Sequence, residues 1–202
     1  MPRTYTSDVR AERARASRDA VVAAATDSFL RRGWAGTTMA DVASAAGLTR
    51  QTVYAGFEGK LALLDACIDA ALSDGRYVAV RELPEYRAMA DGDPTTRVAA
   101  AARWLRGAHE RSAAIQHVLD EAAVMDPVAA TRLAERERTR WDEVRWAGGL
   151  VLGVPPADHM TDALWILASR SVWLRLTGER SWTGDRWEAW FARQTADTLE
   201  VR

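Results

Sequence analysis

Between Thr38 and Gly56 the chain encodes two helices too short to persist alone, since isolated helices under about 12 to 15 residues are marginal in water. Thr38-Met39-Ala40-Asp41 has the form of a capping box, and Val42, Ala43 and Ala46 line an inner face before Gly47 ends the helix. Leu48 lies in the turn, Thr49 caps the next helix, Val53 points inward, and Gly56 stands where a left-handed terminator is wanted. Such a pair must pack on a third helix. Upstream, Ser17 can cap one, with Asp19 in its first turn and Val22, Ala25 and Phe29 on a buried face until Gly33 stops it. The small Ala43 at the crossing, Gly47 at the turn and the buried Val53 make this a helix-turn-helix.

In that motif the second helix lies in the major groove of DNA with its first residues against base edges, which assigns Thr49, Arg50, Gln51 and Thr52 to the bases. Arg suits a guanine edge and Gln an adenine edge, because each bonds in two places at once. Tyr54 and Lys60, the only lysine, would meet phosphates, which fix register without reading sequence. Taken singly, each of these residues reads better as part of a solvated helix face. The capped pair followed by Tyr-x-x-Phe-x-x-Lys is more specific than any charge run.

The segment TTMADVASAAGLTRQTVYAGFEGKLALLDA, residues 37 to 66, resembles the DNA-binding domain of the tetracycline-repressor (TetR) family of transcriptional regulators. The likeness runs from about Arg18 to Ala71 and implies phosphate contacts near Thr38, Tyr54 and Lys60, base contacts from Thr49 to Thr52, and Phe57 beneath the start of a fourth helix. Two positions depart from the family pattern: Gly56 stands where an aromatic is common, and Gly59 replaces the usual Ser, Asn or Asp cap, at about a few tenths of a kcal/mol. The resemblance also implies a C-terminal domain whose helices enclose a small-molecule pocket, and a dimer formed by the two final helices.

Residues 1 to 60 carry nine Arg or Lys against six Asp or Glu, and the remainder eighteen against twenty-two, so an anionic partner is expected at the first part. With the helix-turn-helix, double-stranded DNA is the expected partner. The single Cys67 has no ligand-spaced His or Cys nearby and reads as core filler, with no metal site and no cofactor. No run of eighteen apolar residues crosses a bilayer, and the basic start MPRTYTSDVRAERARAS lacks the apolar stretch of a secretory signal, so a cytoplasmic protein without membrane contact is expected. Neither a Ser/His/Asp or Cys/His set nor a Gly-rich phosphate loop is evident, so no catalytic residue is assigned.

Almost every segment has helical period and none alternates like a strand. The expected fold is all-α, about nine helices: a helix-turn-helix domain over residues 1–60, with 1–16 a flexible basic arm, and an effector-binding and dimerisation domain over 61–202. Pro and Gly punctuation places helices of the second domain near 95–108, 112–124, 127–150, 157–177 and 184–200. This domain holds eight of the nine tryptophans. Trp104, His117, Glu121, Trp146, Trp165 and Trp173 are candidate ligand contacts, set against the plainer reading that buried Trp is packing. His109 and His117 lie eight apart, on one face if their helix is unbroken, and read as satisfied core or surface histidines. The apolar surface of 160–178 exceeds what one core can bury; Met160, Leu164, Leu167, Ser171, Leu174, Trp190 and Gln194 are the expected homodimer interface. A ligand-responsive repressor reading a palindrome, released by a small organic effector, accounts for both domains. The alternatives are a regulator with no effector and, more distantly, an enzyme.

Overall fold

The computed structural model describes the backbone of residues 3–201 and the side chains from residue 9 onward. Among these, every regular element is helical: α1 (Arg3–Gly36), α2 (Met39–Ala45), α3 (Arg50–Gly56), α4 (Lys60–Leu72), α5 (Pro84–Arg87), α6 (Pro94–Met125), α7 (Pro127–Leu152), α8 (Asp158–Leu167), α9 (Arg170–Leu174) and α10 (Gly184–Thr198). Apart from the single turn of α5 these are the nine helices of an all-α chain that begins with a helix-turn-helix. The contacts divide it into two compact units, Met1–Ala70 and Ala71–Arg202.

In the first unit α1 runs back to Arg3, so Ser17 lies inside the helix instead of capping it, and the expected arm is helical from Arg3. Nothing between residues 3 and 17 is a helix breaker. Gly33 leaves the helical path at φ 66°, a conformation that favours glycine. The Thr37 hydroxyl donates to the Gly33 carbonyl at 3.0 Å and lies 3.3 Å from that of Ser28, which ties the bend down. Phe29, Val42, Val53, Leu64 and Ile68 are buried together with Cys67. The Cys67 thiol donates weakly to the Val22 carbonyl at 3.6 Å, and burial pushes its pKa up to about 11. It is core filler, as expected.

In the second unit α6 is one 32-residue helix where two were expected. Asp93 caps it, accepting from the Thr96 N–H at 2.8 Å, and Pro94 occupies the first turn. No breaker stands between 108 and 112; the Ser112 hydroxyl folds back onto the Ala108 carbonyl at 2.6 Å and the helix continues. The helix expected at 157–177 is instead interrupted. α8 stops at Leu167, Ser169 accepts from the Val172 N–H at 3.3 Å to start α9, and a π-helical turn, Arg175–Glu179, follows. Helix α6 is central, packing on α7, α9 and α10. Gly184 at the start of α10 faces the Arg106 and Glu110 side chains of α6, which a Cβ there would push aside.

Candidate nucleic-acid interface

Thr38 caps α2 by accepting from the Asp41 N–H at 3.1 Å, and donates its own hydroxyl to the Asp41 carboxylate at 2.7 Å. Asp41 thus holds the cap's hydroxyl. Gly47 turns the chain at φ 67°, and the Leu48 N–H returns to the Ala43 carbonyl at 3.0 Å. Thr49 then caps α3, accepting from the Thr52 N–H at 3.1 Å, with the two hydroxyls 2.9 Å apart. Helix α3 ends without a left-handed glycine. Gly56 stays in the helix, and Phe57 leaves it extended at φ −145° with its N–H bonded to the Val53 carbonyl at 3.0 Å; the buried Phe57 ring, under the Arg18 guanidinium at 4.6 Å, fixes that exit.

Val53 is the one buried residue of α3, and its anchoring sets the rotation of the helix. Thr49, Arg50, Gln51 and Thr52 consequently face solvent, as do Thr38 and Tyr54, the last 56% exposed. Lys60 is placed differently. Its ammonium donates to the Trp34 carbonyl at 2.8 Å and lies 4.0 Å over the Trp34 ring, fastening the start of α4 to the end of α1. A capped, two-turn helix anchored by Val53 that presents Arg and Gln side by side has the chemistry to bond two adjacent base edges.

Of the six residues expected to touch a ligand, Trp104 and Trp146 flank Tyr86 and Arg81, which both bond Glu143. His117 and Trp165 lie on Asp120 and Arg140, which Arg170 and Glu137 join. Trp104 stands edge-on to Tyr86 at 4.8 Å, Trp146 is half exposed beneath the Arg81 guanidinium at 4.6 Å, and Trp165 lies beneath that of Arg140 at 4.7 Å. His117 is exposed, its Nδ1 3.3 Å from Asp120, and Glu121 is exposed. Trp173 alone is buried, stacked on His109 at 5.5 Å. The two histidines do not share a face, since eight residues rotate a helix by about 80° beyond whole turns. His109 is buried instead.

Of the expected dimer residues, Leu164 is 4% exposed in the single chain and packs with Val151 and Leu199, and Met160 leans on that cluster. Leu167, Leu174 and Trp190 pack against Trp173, Trp187 and Phe191. The subunit's own core occupies most of the stripe; Ser171 is exposed, Gln194 half-buried, and Ile166, which the sequence had not singled out for the interface, is 57% exposed.

Sequence reading also missed Arg170. Its guanidinium grips both oxygens of Asp120 on α6 and bonds Glu137 on α7 at 2.5 Å. Glu137 in turn takes bonds from Arg140, which donates to the Trp165 carbonyl at 2.8 Å. Among the described residues no group of three or more His, Cys, Asp or Glu could hold a metal ion, and no helix is long and apolar enough to cross a membrane.

Residues 21–67 match the profile of the family described as bacterial regulatory proteins, tetR family. Over 59 residues the chain is 41% identical to the HTH-type transcriptional regulator TtgR of Pseudomonas putida, a match spanning 29% of this chain and 28% of that relative. A crystallised transcriptional regulator of Rhodococcus superposes with TM-score 0.63 at 15% identity, covering 91% of this chain and 96% of its own. MexZ, a repressor responsible for antibiotic resistance in Pseudomonas aeruginosa, does so with TM-score 0.53 at 23% identity, covering 91% and 93%. At these identities the two structures establish the fold.

Proposed function

We propose, on the premise that the chain carries the DNA-binding domain of the TetR family of bacterial regulatory proteins, that it is a repressor that binds a palindromic operator as a homodimer and is released by a small organic effector. The observation that carries this reading is the outward pair Arg50 and Gln51 on a helix anchored by Val53. Arg50→Ala and Gln51→Ala are each expected to weaken the cognate operator by about 1 to 3 kcal/mol and to relax preference at one base pair. Tyr54→Phe is expected to weaken all sequences alike. Lys60→Ala should make the salt slope shallower by about one unit, although it also removes the tie to Trp34, so Tyr54→Phe is the cleaner phosphate test. Titration of operator and scrambled duplexes at two salt concentrations checks all four. An Arg50→Ala protein that retains parental operator affinity refutes the recognition face.

A dimer is part of the proposal because one two-turn helix makes few contacts, whereas two copies about a helical turn apart read both half-sites. Helices α8 and α10 are the proposed interface, supported by the exposed Ile166 on α8 and the half-buried Trp190 and Gln194 on α10. Ile166→Asp is the informative substitution, since it leaves the subunit core intact. It should sediment as a folded monomer and lose operator affinity at least tenfold; a parent that is monomeric at micromolar concentration removes the dimer.

A further inference from the structure

His109 lies midway along α6 with its ring enclosed, stacked on Trp173 at 5.5 Å and edge-on to Trp187 at 5.4 Å between centroids. Trp187 is itself fully buried and lies flat on Phe191 at 5.0 Å. The imidazole bonds the Ala168 backbone, at the place where α8 stops and Ser169 restarts the chain. A carbonyl can only accept, so the nitrogen facing it carries the ring proton. The other, Nε2, is buried with no partner among the described residues, and in that tautomer it is an acceptor. Trp187 Nε1, a donor, is buried without a partner as well. Buried polar atoms are nearly always paired. Here an acceptor and a donor stand in touching rings and do not satisfy each other.

The wall over this cluster is irregular. Helix α9 is five residues long, set between the break at Ala168 and the π-turn Arg175–Glu179, and Ser181 just beyond it has φ 52°. Turns of the π type occur often at functional sites. It carries Trp173 against His109, and Arg170, its first residue, holds it to α6 and α7 through Asp120 and Glu137.

We propose that the effector binds at the aromatic cluster of His109, Trp173 and Trp187, beneath α9, and that it is an uncharged aromatic molecule with a hydroxyl or N–H donor. The donor bonds His109 Nε2; an acceptor on the same molecule receives Trp187 Nε1–H. An uncharged ligand is required because nearby Arg170 and Arg140 are already matched by Asp120 and Glu137, leaving a buried charge no partner. Helix α9 shifts to admit it. The inference rests on the effector-responsive reading above and adds the site and the ligand class.

Phenol is the probe, with toluene as the same shape without the donor and benzoate as a charged analogue. In nitrogen-15 spectra of the parent, phenol is expected to move the His109 Nε2 resonance toward that of a hydrogen-bonded acceptor while His117 and His159 stay in place, and toluene to move none. Phenol should bind at least tenfold tighter than benzoate. His109→Phe keeps an aromatic ring without the acceptor and should weaken phenol at least tenfold; if it fails to fold, the parental spectra decide alone. The site assignment is overturned if phenol does not bind, binds without moving the His109 resonance, or binds His109→Phe as well as the parent. Operator affinity separates the two levels. A protein released from operator by some other compound keeps the regulator reading and loses this site, whereas one that answers to no small molecule loses the reading itself.

Discussion

Arg170→Ala is expected to destabilise the second unit by about 3 kcal/mol, the lower end of the range for breaking a buried ion pair by removing one partner. Arg170 is 9% exposed and its guanidinium joins three helices, α9 to Asp120 on α6 and to Glu137 on α7. Removing it strands two carboxylates that burial has partly desolvated. Glu137 shows the balance: burial pushes its pKa up, but the hydrogen bonds from Arg140 and Arg170 pull harder and leave it below the ordinary range. Both carboxylates keep roughly a quarter of their side-chain surface, so water offsets part of the loss, and His117 and Arg140 remain as partial partners. In urea the midpoint of the second unit should fall with an unchanged slope. Replacing Arg170 and Asp120 together, Arg170→Met with Asp120→Asn, should recover most of it, because Glu137 then keeps Arg140 as its partner and no charge is stranded. A loss below about 1 kcal/mol for Arg170→Ala would put these bonds with screened surface pairs.

The elements that were legible in the sequence are those whose signals are local. Thr38, Gly47, Thr49 and Val53 each act within a turn or two of their own position, and the structure places them as caps, a left-handed turn and an anchor. Gly56 misled because a glycine after a short helix permits a left-handed end without requiring one. The buried Phe57 ring, a tertiary contact, decides the exit instead. The arm at the N-terminus was misjudged in a related way: a good cap at Ser17 does not stop a helix when nothing upstream breaks it.

In the second unit the errors come from contacts between distant segments. His109 continues the stripe Val98, Ala102, Leu105 and Ser112, so the phase of α6 marked it as buried, but only an unbroken helix makes that phase countable. The break at Ala168 leaves its one trace in Ser169, a cap residue hidden in an otherwise apolar run. Arg170 looks like a surface charge in sequence; its acids are 50 and 33 residues away. Apolar excess alone likewise sent Leu164 to a partner, whereas α7 and α10 bury it.

Acid should unfold the parent sooner than His109→Phe. Burial pushes the His109 pKa down to about 3, with the charges of Arg140 and Arg170 acting in the same direction against the bond to Ala168, whereas an unfolded histidine titrates near 6.5. Between those values the unfolded chain binds one more proton than the folded chain. Stability is therefore complete above pH 6.5 and falls as the pH falls, by up to about 1.4 kcal/mol per unit. The phenylalanine variant lacks that proton but also lacks the bond to Ala168, which makes it about 1 kcal/mol less stable near neutrality. From pH 6.5 to 5 its deficit should shrink by about 2 kcal/mol and change sign. That window precedes the protonation of Glu137, and His117 and His159 are present in both proteins, so the difference belongs to His109. Urea melts at pH 7.5, 6 and 5 measure it, and parallel stability curves for the two proteins would refute it. The same depressed pKa keeps Nε2 an open acceptor through the whole physiological range, so the effector proposed for this site should bind the parent equally well from pH 6 to 8.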